Sequence, residues 1–220
     1  TAISGSETSK VTSTASSLAG YSTGNIGIGG AVTVHVAYAK TKAILSEGVS
    51  LVLTGENGAS GTKLEIKAAS YESFKTEADA SGSKKATGVG IGAGIAIAVT
   101  GVDVVAEMED GVTVWSAAGK AAYDADPETF DAAAYPIYLS TITISATHSL
   151  TDIINAKAGS AGGVSVTPVL ALNISGAYVN AYMGTAGIED TGYSVTNDVN
   201  VLAESNIDRQ MAANASAAGS

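Results

Sequence analysis

Cysteine is absent from all 220 residues, which excludes disulfides, thiolate nucleophiles and cysteine-ligated metals. Arginine occurs once, at Arg209, and the 11 basic residues face 21 acidic ones, leaving a net charge of −10. Nucleic-acid binding needs clustered Lys and Arg to neutralise phosphates, so it is not expected. Charged residues make up only 15% and aromatic residues 5% of the chain. Low charge combined with plentiful Val and Ile argues against disorder, because disordered chains are charge-rich and poor in both. No signal peptide and no membrane-inserting segment is expected. The longest uncharged apolar run, Gly88–Val102, contains five glycines, alternates like a strand, and is too short to span a bilayer as a helix.

What remains is rich in small residues, with 26 glycines, 45% hydrophobic residues and a mean hydropathy of +0.24. That composition suits stacked β-structure, and the length suffices for one sizeable domain with a real core. Internal repetition is the strongest signal. Ile28-Gly29-Gly30-Ala31-Val32-Thr33-Val34-His35-Val36 lies on Ile91-Gly92-Ala93-Gly94-Ile95-Ala96-Ile97-Ala98-Val99 at an offset of 63. Val166-Thr167-Pro168-Val169-Leu170-Ala171-Leu172-Asn173-Ile174 follows 75 residues later.

These offsets divide the chain into the tail of a repeat (1–23), repeat one (24–87), repeat two (88–162) and an incomplete repeat three (163–220). Starting and stopping mid-repeat, the chain reads as an excised piece. Repeat one has a long alternating strand Ile26–Leu45, a turn at Ser46-Glu47-Gly48 and a short strand Val49–Leu53. A Gly/Asn loop (Gly55–Gly61), a strand Lys63–Ala68 and a polar stretch Ser70–Ala80 follow, ending in Ser81-Gly82-Ser83. Strict alternation marks half-buried strands, and Gly/Asn/Ser clusters separate them. Ala-rich Ile207–Ala218 has helical propensity, but its repeat mates are strand-like, and strand or coil is expected there.

The long strand carries Ile91, Ile95, Ile97 and Val99 on one face and Gly90, Gly92, Gly94, Ala96 and Ala98 on the other. After position 100 the apolar set passes to Val102, Val104, Ala106 and Met108, while Asp103, Glu107 and Glu109 occupy the opposite face. A one-residue change of phase would do this, so a bulge or corner is expected near Tyr38, Gly101 and Gly176. The fold expected is all-β, a parallel β-solenoid (β-helix) of about three tandem repeats. A 63-residue period admits either one wide rung or about three ordinary ones.

One stretch interrupts the repeat. Val114 and Ile142 enclose 27 residues where Leu51 and Leu64 enclose 12, so 15 extra residues fall within Ala117–Leu139. Asp126-Pro127-Glu128 predicts a helix start, with Thr129–Ala134 helical and Pro136 the stop. Trp115, Tyr123, Phe130, Tyr135 and Tyr138 concentrate five of the twelve aromatic residues here. With Asp124, Asp126, Glu128 and Asp131 they form a candidate sugar- or peptide-stacking patch whose acids are candidate calcium ligands. The competing account is a capping helix whose aromatics pack on the solenoid flank.

Elsewhere the motifs favour structural accounts. Gly88-Val89-Gly90-Ile91-Gly92 mimics a nucleotide loop, but its glycines lie within a continuing strand, which points to close sheet packing. His35 and His148 are isolated and read as structural. No Ser/His/Asp arrangement is evident from spacing, and no calcium-roll nonapeptides occur.

GNIGIGGAVTVHVAYAKTKAIL-SEGVSLVLTG and TGVGIGAGIAIAVTGVDVVAEM-EDGVTV resemble the tandem repeats of very large bacterial surface proteins, the filamentous haemagglutinin- or leukotoxin-like adhesins. The resemblance covers nearly the whole chain except Ala117–Leu139. It implies secretion to the cell surface, a long parallel β-solenoid stalk and a role in cell adhesion. The partner implied is a receptor or glycan on a host or neighbouring cell. It carries over no catalytic residue and no cofactor. A self-assembling extracellular filament, with copies stacked end to end, is the second reading. A polysaccharide-acting β-helix enzyme is the third; a single arginine and scattered lysines count against it.

Overall fold

The computed structural model describes residues 2–16, 25–53, 62–81, 87–184 and 193–219. The Gly/Asn loop Gly55–Gly61 and Gly82-Ser83 lie outside the described residues. The strands are β1 (Ala2–Ser16), β2 (Ile26–Leu45), β3 (Ser50–Leu53), β4 (Lys63–Ser81), β5 (Val89–Met108) and β6 (Thr113–Ser116). After helix α1 (Ala117–Ala125) and a one-turn 3-10 helix (Ala132–Ala134) come β7 (Ile137–Gly162), β8 (Val164–Val166), β9 (Val169–Met183) and β10 (Tyr193–Gly219). The chain is all-β apart from the insertion. No helix among the described residues is long and apolar enough to cross a membrane.

Each repeat returns to the same sheets. One sheet runs β1-β4-β7-β10, a second runs β2-β5 and then pairs β5 with both β8 and β9, and β3 pairs with β6. Every pairing is parallel; β1–β4, β2–β5 and β3–β6 keep the 63-residue offset of the sequence repeat, and β5 with β8 and β9 its 75-residue offset. Ile28 faces Ile91 and Ile91 faces Val166, while Ile66 faces Ile3 on one side and Ile144 on the other. A repeat is therefore one wide rung that gives one long strand to each main sheet, a course that fits a β-solenoid. The turn leading into the short third sheet uses Gly48 (φ 72°) and Gly111 (φ 70°) at equivalent places, where a left-handed residue is needed.

The predicted change of phase near Gly101 does not occur. Pairing runs unbroken from Ile26↔Val89 to Leu45↔Met108, and the even-numbered residues from Gly90 to Met108 are buried throughout. What changes at Gly101 is the space between the sheets. Below it, the inward positions are Gly90, Gly92 and Gly94, and a Cβ at each would lie 2.3–2.7 Å from a carbonyl oxygen of Ala161, Gly159 or Lys157. Backbone nearly touches backbone there, so close sheet packing, not phosphate binding, accounts for the glycines. Above it, Val104 and Met108 meet Leu64, Ile66, Ile142 and Ile144 in one large buried cluster. The interior is a wedge, thin and Gly/Ala-filled at one end, thick and aliphatic at the other.

Two further expectations are corrected. The polar stretch Ser70–Ala80 is not a break but the second half of β4, with Ser70, Glu72, Phe74 and Thr76 turned inward. The α-helix lies before Asp126; after it, only the one-turn 3-10 helix Ala132–Ala134 falls within the stretch expected to be helical. Ser116 caps α1 by accepting from the Gly119 amide, and Asp126 ends it. Asp126 instead folds Pro127–Thr129 into a turn, its carboxylate taking the Glu128 amide and the Thr129 hydroxyl. Ile207–Ala218 is strand, as its repeat mates required.

Candidate functional site

The insertion builds its own small hydrophobic unit. The offset between β4 and β7 is 78 against 63 between β2 and β5, so the 15 added residues sit between the third sheet and β7. Trp115, at the end of β6, is buried, and its indole N–H donates to Thr113 Oγ1 at 3.1 Å. Tyr123 and Phe130 lie 4.9 and 5.6 Å from it between ring centroids, in tilted contact. Tyr135 stacks on Phe130 at 5.7 Å with an interplanar angle of 12°. Offset and tilted rings of this kind add about 0.5–1.5 kcal/mol per pair beyond the area they bury. The Lys120 ammonium sits 6.0 Å over both Trp115 and Tyr123.

The nine candidate residues therefore divide. Trp115, Tyr123, Phe130 and Tyr135 come together, whereas Tyr138 stands apart on β7. Trp115 is consumed by packing and offers no open ring face. Phe130 and Tyr135 do line a pocket of about 250 Å³ with Ala122, Asp126, Thr129, Asp131 and Ala134.

The acids do not converge on a cation. Asp124 pairs with Lys120, Asp126 holds its turn, and Asp131 caps the 3-10 helix through the Ala133 amide. Hydrogen bonds from the Thr129 hydroxyl and the Glu128 and Thr129 amides outweigh desolvation and hold the Asp126 carboxyl below the usual carboxylate range. Glu128 is exposed. No group of three or more His, Cys, Asp or Glu side chains able to hold a metal exists among the described residues.

A second constellation had no signal in the sequence spacing. Ser70 Oγ donates to Glu72 Oε1, and Glu72 Oε2 lies 3.1 Å from His148 Nε2. That pair is within ion-pair reach but misaligned for a hydrogen bond, so both atoms lack a directional partner. His148 Nδ1 and Ser205 Oγ share a hydrogen bond of 3.0 Å. Both the Glu72 and His148 side chains are wholly buried. Serine, histidine and acid in this order match the connectivity of an acyl-transfer triad.

Ladder geometry explains it more simply. Ser70, His148 and Ser205 are register partners on β4, β7 and β10 and share one face at strand spacing. The other histidine repeats the motif without an acid. His35 Nδ1 lies 2.9 Å from Ser13 Oγ, and its ring lies against Phe74. Sequence inspection could reach this only by aligning Ser70 with His148 through the repeat and then crossing two residues along β4 to Glu72.

Deeper toward the thin end, Asp152 is completely buried and accepts from the Asn173 amide group. Asp152 Oδ1, Thr76 Oγ1 and Thr100 Oγ1 have no hydrogen-bond partner. A polar band thus separates the aliphatic cluster from a second cluster built mostly of alanine.

Fold and insertion together define an all-β protein of parallel, register-matched repeats with, among the described residues, one decorated turn. No protein-family model, curated protein or solved structure matches the chain.

Proposed function

We propose that the chain is a non-enzymatic structural and adhesive segment of an extracellular bacterial surface protein, a β-solenoid stalk that presents its insertion to a receptor or glycan. The observation that carries this reading is the coincidence of the one interruption in the repeat with an aromatic-walled pocket. Phe130 and Tyr135 supply ring faces, and Asp126 and Asp131 supply carboxylate acceptors beside them. Aromatic faces with flanking acceptors suit a sugar, whose C–H surface stacks while its hydroxyls donate. The repeats supply reach and stiffness, and their acidic balance supplies solubility.

Glycan-array binding is the test. Tyr135→Ala and Phe130→Ala are expected to abolish the signal, while Tyr138→Ala leaves it unchanged. Binding that survives both pocket substitutions, or an array with no signal, refutes an adhesive insertion. The filament reading draws support from β1 and β10, which border their sheet with one ladder edge unpaired among the described residues. A chain that stays monomeric when concentrated refutes it.

A further inference from the structure

The two outer faces of the wedge differ sharply in chemistry. Outward positions of β4 and β7 are mostly polar or charged, as in Lys75-x-Glu77-x-Asp79 and Thr141-x-Thr143-x-Ser145. Apart from the Gly30–Ala93 row, outward positions of β2, β5, β8 and β9 below Gly101 carry aliphatic side chains in register. Val32–Ile95–Leu170 and Val34–Ile97–Leu172 are two of five such three-strand ladders. The flanking strands leave these groups well exposed, Val34 at 57%, Val36 at 73% and Ile174 at 56%. Within the ladders no side chain bears a polar atom.

We propose that this face is an interface between two copies of the chain, packed sheet on sheet about a two-fold axis. Three lines support a second copy as the occupant. The first is area. Eleven residues of strand at about 3.3 Å each, across three strands about 4.8 Å apart, give a flat patch of about 500 Å². Two such patches facing each other bury about 1,000 Å² in total, the lower bound for a specific interface. A patch of that size is also as large as the largest found on ordinary monomers.

The second is chemistry. A glycan or peptide docked here would lose water from its polar groups and find no donor or acceptor among the side chains, at a cost no contact repays. Only an equally apolar surface is compatible, and a net charge of −10 disfavours an anionic membrane.

The third is the charge at the far end of the face. Past Tyr38, the face turns to Lys40 beside Asp103 and Ile44 beside Glu107. A two-fold axis through the aliphatic ladders reverses strand direction, so these charged ends project to opposite sides and stay hydrated. The interface thus formed has an apolar centre and a polar rim.

Sedimentation equilibrium over a concentration series, run on the whole chain, tests this. A dimer is expected in the wild type, and Val34→Lys with Ile97→Lys is expected to raise its dissociation constant at least tenfold with far-UV circular dichroism unchanged. Should that pair disturb folding, Val36→Lys alone, at the most exposed position, is expected to give the same loss. A wild type monomeric at every concentration overturns the proposal. So does association that the lysines leave unchanged, which would place the contact on the strand edges, and so does flotation of a monomer with neutral phosphatidylcholine vesicles.

Discussion

Replacing His148 with alanine removes the imidazole that faces a wholly buried carboxylate. In the native protein Glu72 Oε1 accepts from Ser70, and Oε2 lies 3.1 Å from His148 Nε2. After the substitution Oε2 loses its nearest charged or polar neighbour on β7, and the removed ring leaves a void at a wholly buried position. Breaking one partner of a buried pair costs about 3–5 kcal/mol, because the remaining charge has left water without compensation. Glu72→Leu is expected to cost less, about 1–3 kcal/mol, because His148 keeps its bond to Ser205. The double variant Glu72→Leu, His148→Leu places leucine beside Leu150, the register partner of position 72, and fills the void. It is expected to recover at least about 2 kcal/mol relative to the sum of the single changes. Urea unfolding followed by far-UV circular dichroism, with the slope checked for constancy, measures all three. A cost below about 1 kcal/mol for His148→Ala, or strict additivity in the double variant, refutes the view that Glu72 and His148 stabilise the core as a pair.

Three other outcomes follow from the same geometry. Gly92→Ala would place a Cβ 2.3 Å from the Gly159 carbonyl oxygen and should destabilise by about 1–3 kcal/mol or more, whereas Gly176→Ala, with open space around it, should stay within about 0.5 kcal/mol. Equal effects at the two sites, measured by urea midpoint, would contradict backbone-close packing at the thin end. Ser116→Ala removes the α1 cap and should cost about 1 kcal/mol, read as a lower melting temperature with the Trp115 emission shifted to the red. The lowered Asp126 carboxyl contributes stability that is present above its unfolded value and lost as pH falls through its folded value, below the usual carboxylate range. Trp115 fluorescence in an acid titration should therefore show a step that Asp126→Asn abolishes; an identical titration in the variant would remove the turn from the account.

The repeat made the architecture legible because in-register stacking is itself a sequence offset. Once Ile28 lies on Ile91 and Ile91 on Val166, pairing follows without knowledge of any contact. The same logic assigned strand to Ile207–Ala218 against its helical propensity, since Ala213 is the mate of Ala156 and Ala78. Helix placement failed for a local reason. Asp-Pro-Glu satisfies the rules for a helix start, but Asp126 uses its carboxylate to close a turn, while Ser116, at the end of a strand, caps nine residues that the sequence reading left unassigned. The aromatic cluster was legible as a cluster, but not in its division between packing and pocket, because that depends on which rings Trp115 needs as a lid. The Glu72–His148 contact could be reached only through the repeat register that lays Ser70 on His148. It joins residues 76 apart through two strands, and nothing in either segment alone marks it.

The phase switch is the instructive failure, since alternation reveals two faces without saying which one turns inward. Aliphatic residues on one face of β5 and glycines on the other suggest that the aliphatic face is the core. The facing strand decides otherwise: β7 presents Ala156, Ala158, Ser160 and Gly162 where β5 presents its glycines, and Ile142 and Ile144 where β5 presents Val104 and Met108. Small meets small and large meets large, so the sheets converge instead of staying about 10 Å apart. A thin end of this kind buries little apolar surface internally, and its aliphatic side chains are left outside on one face alone. At about 25 cal/mol per Å², covering a patch of about 500 Å² on each copy, about 1,000 Å² in total, is worth about 25 kcal/mol before the costs of association are subtracted. The glycines that bring the two sheets together are thus the same feature that leaves an aliphatic face to be covered.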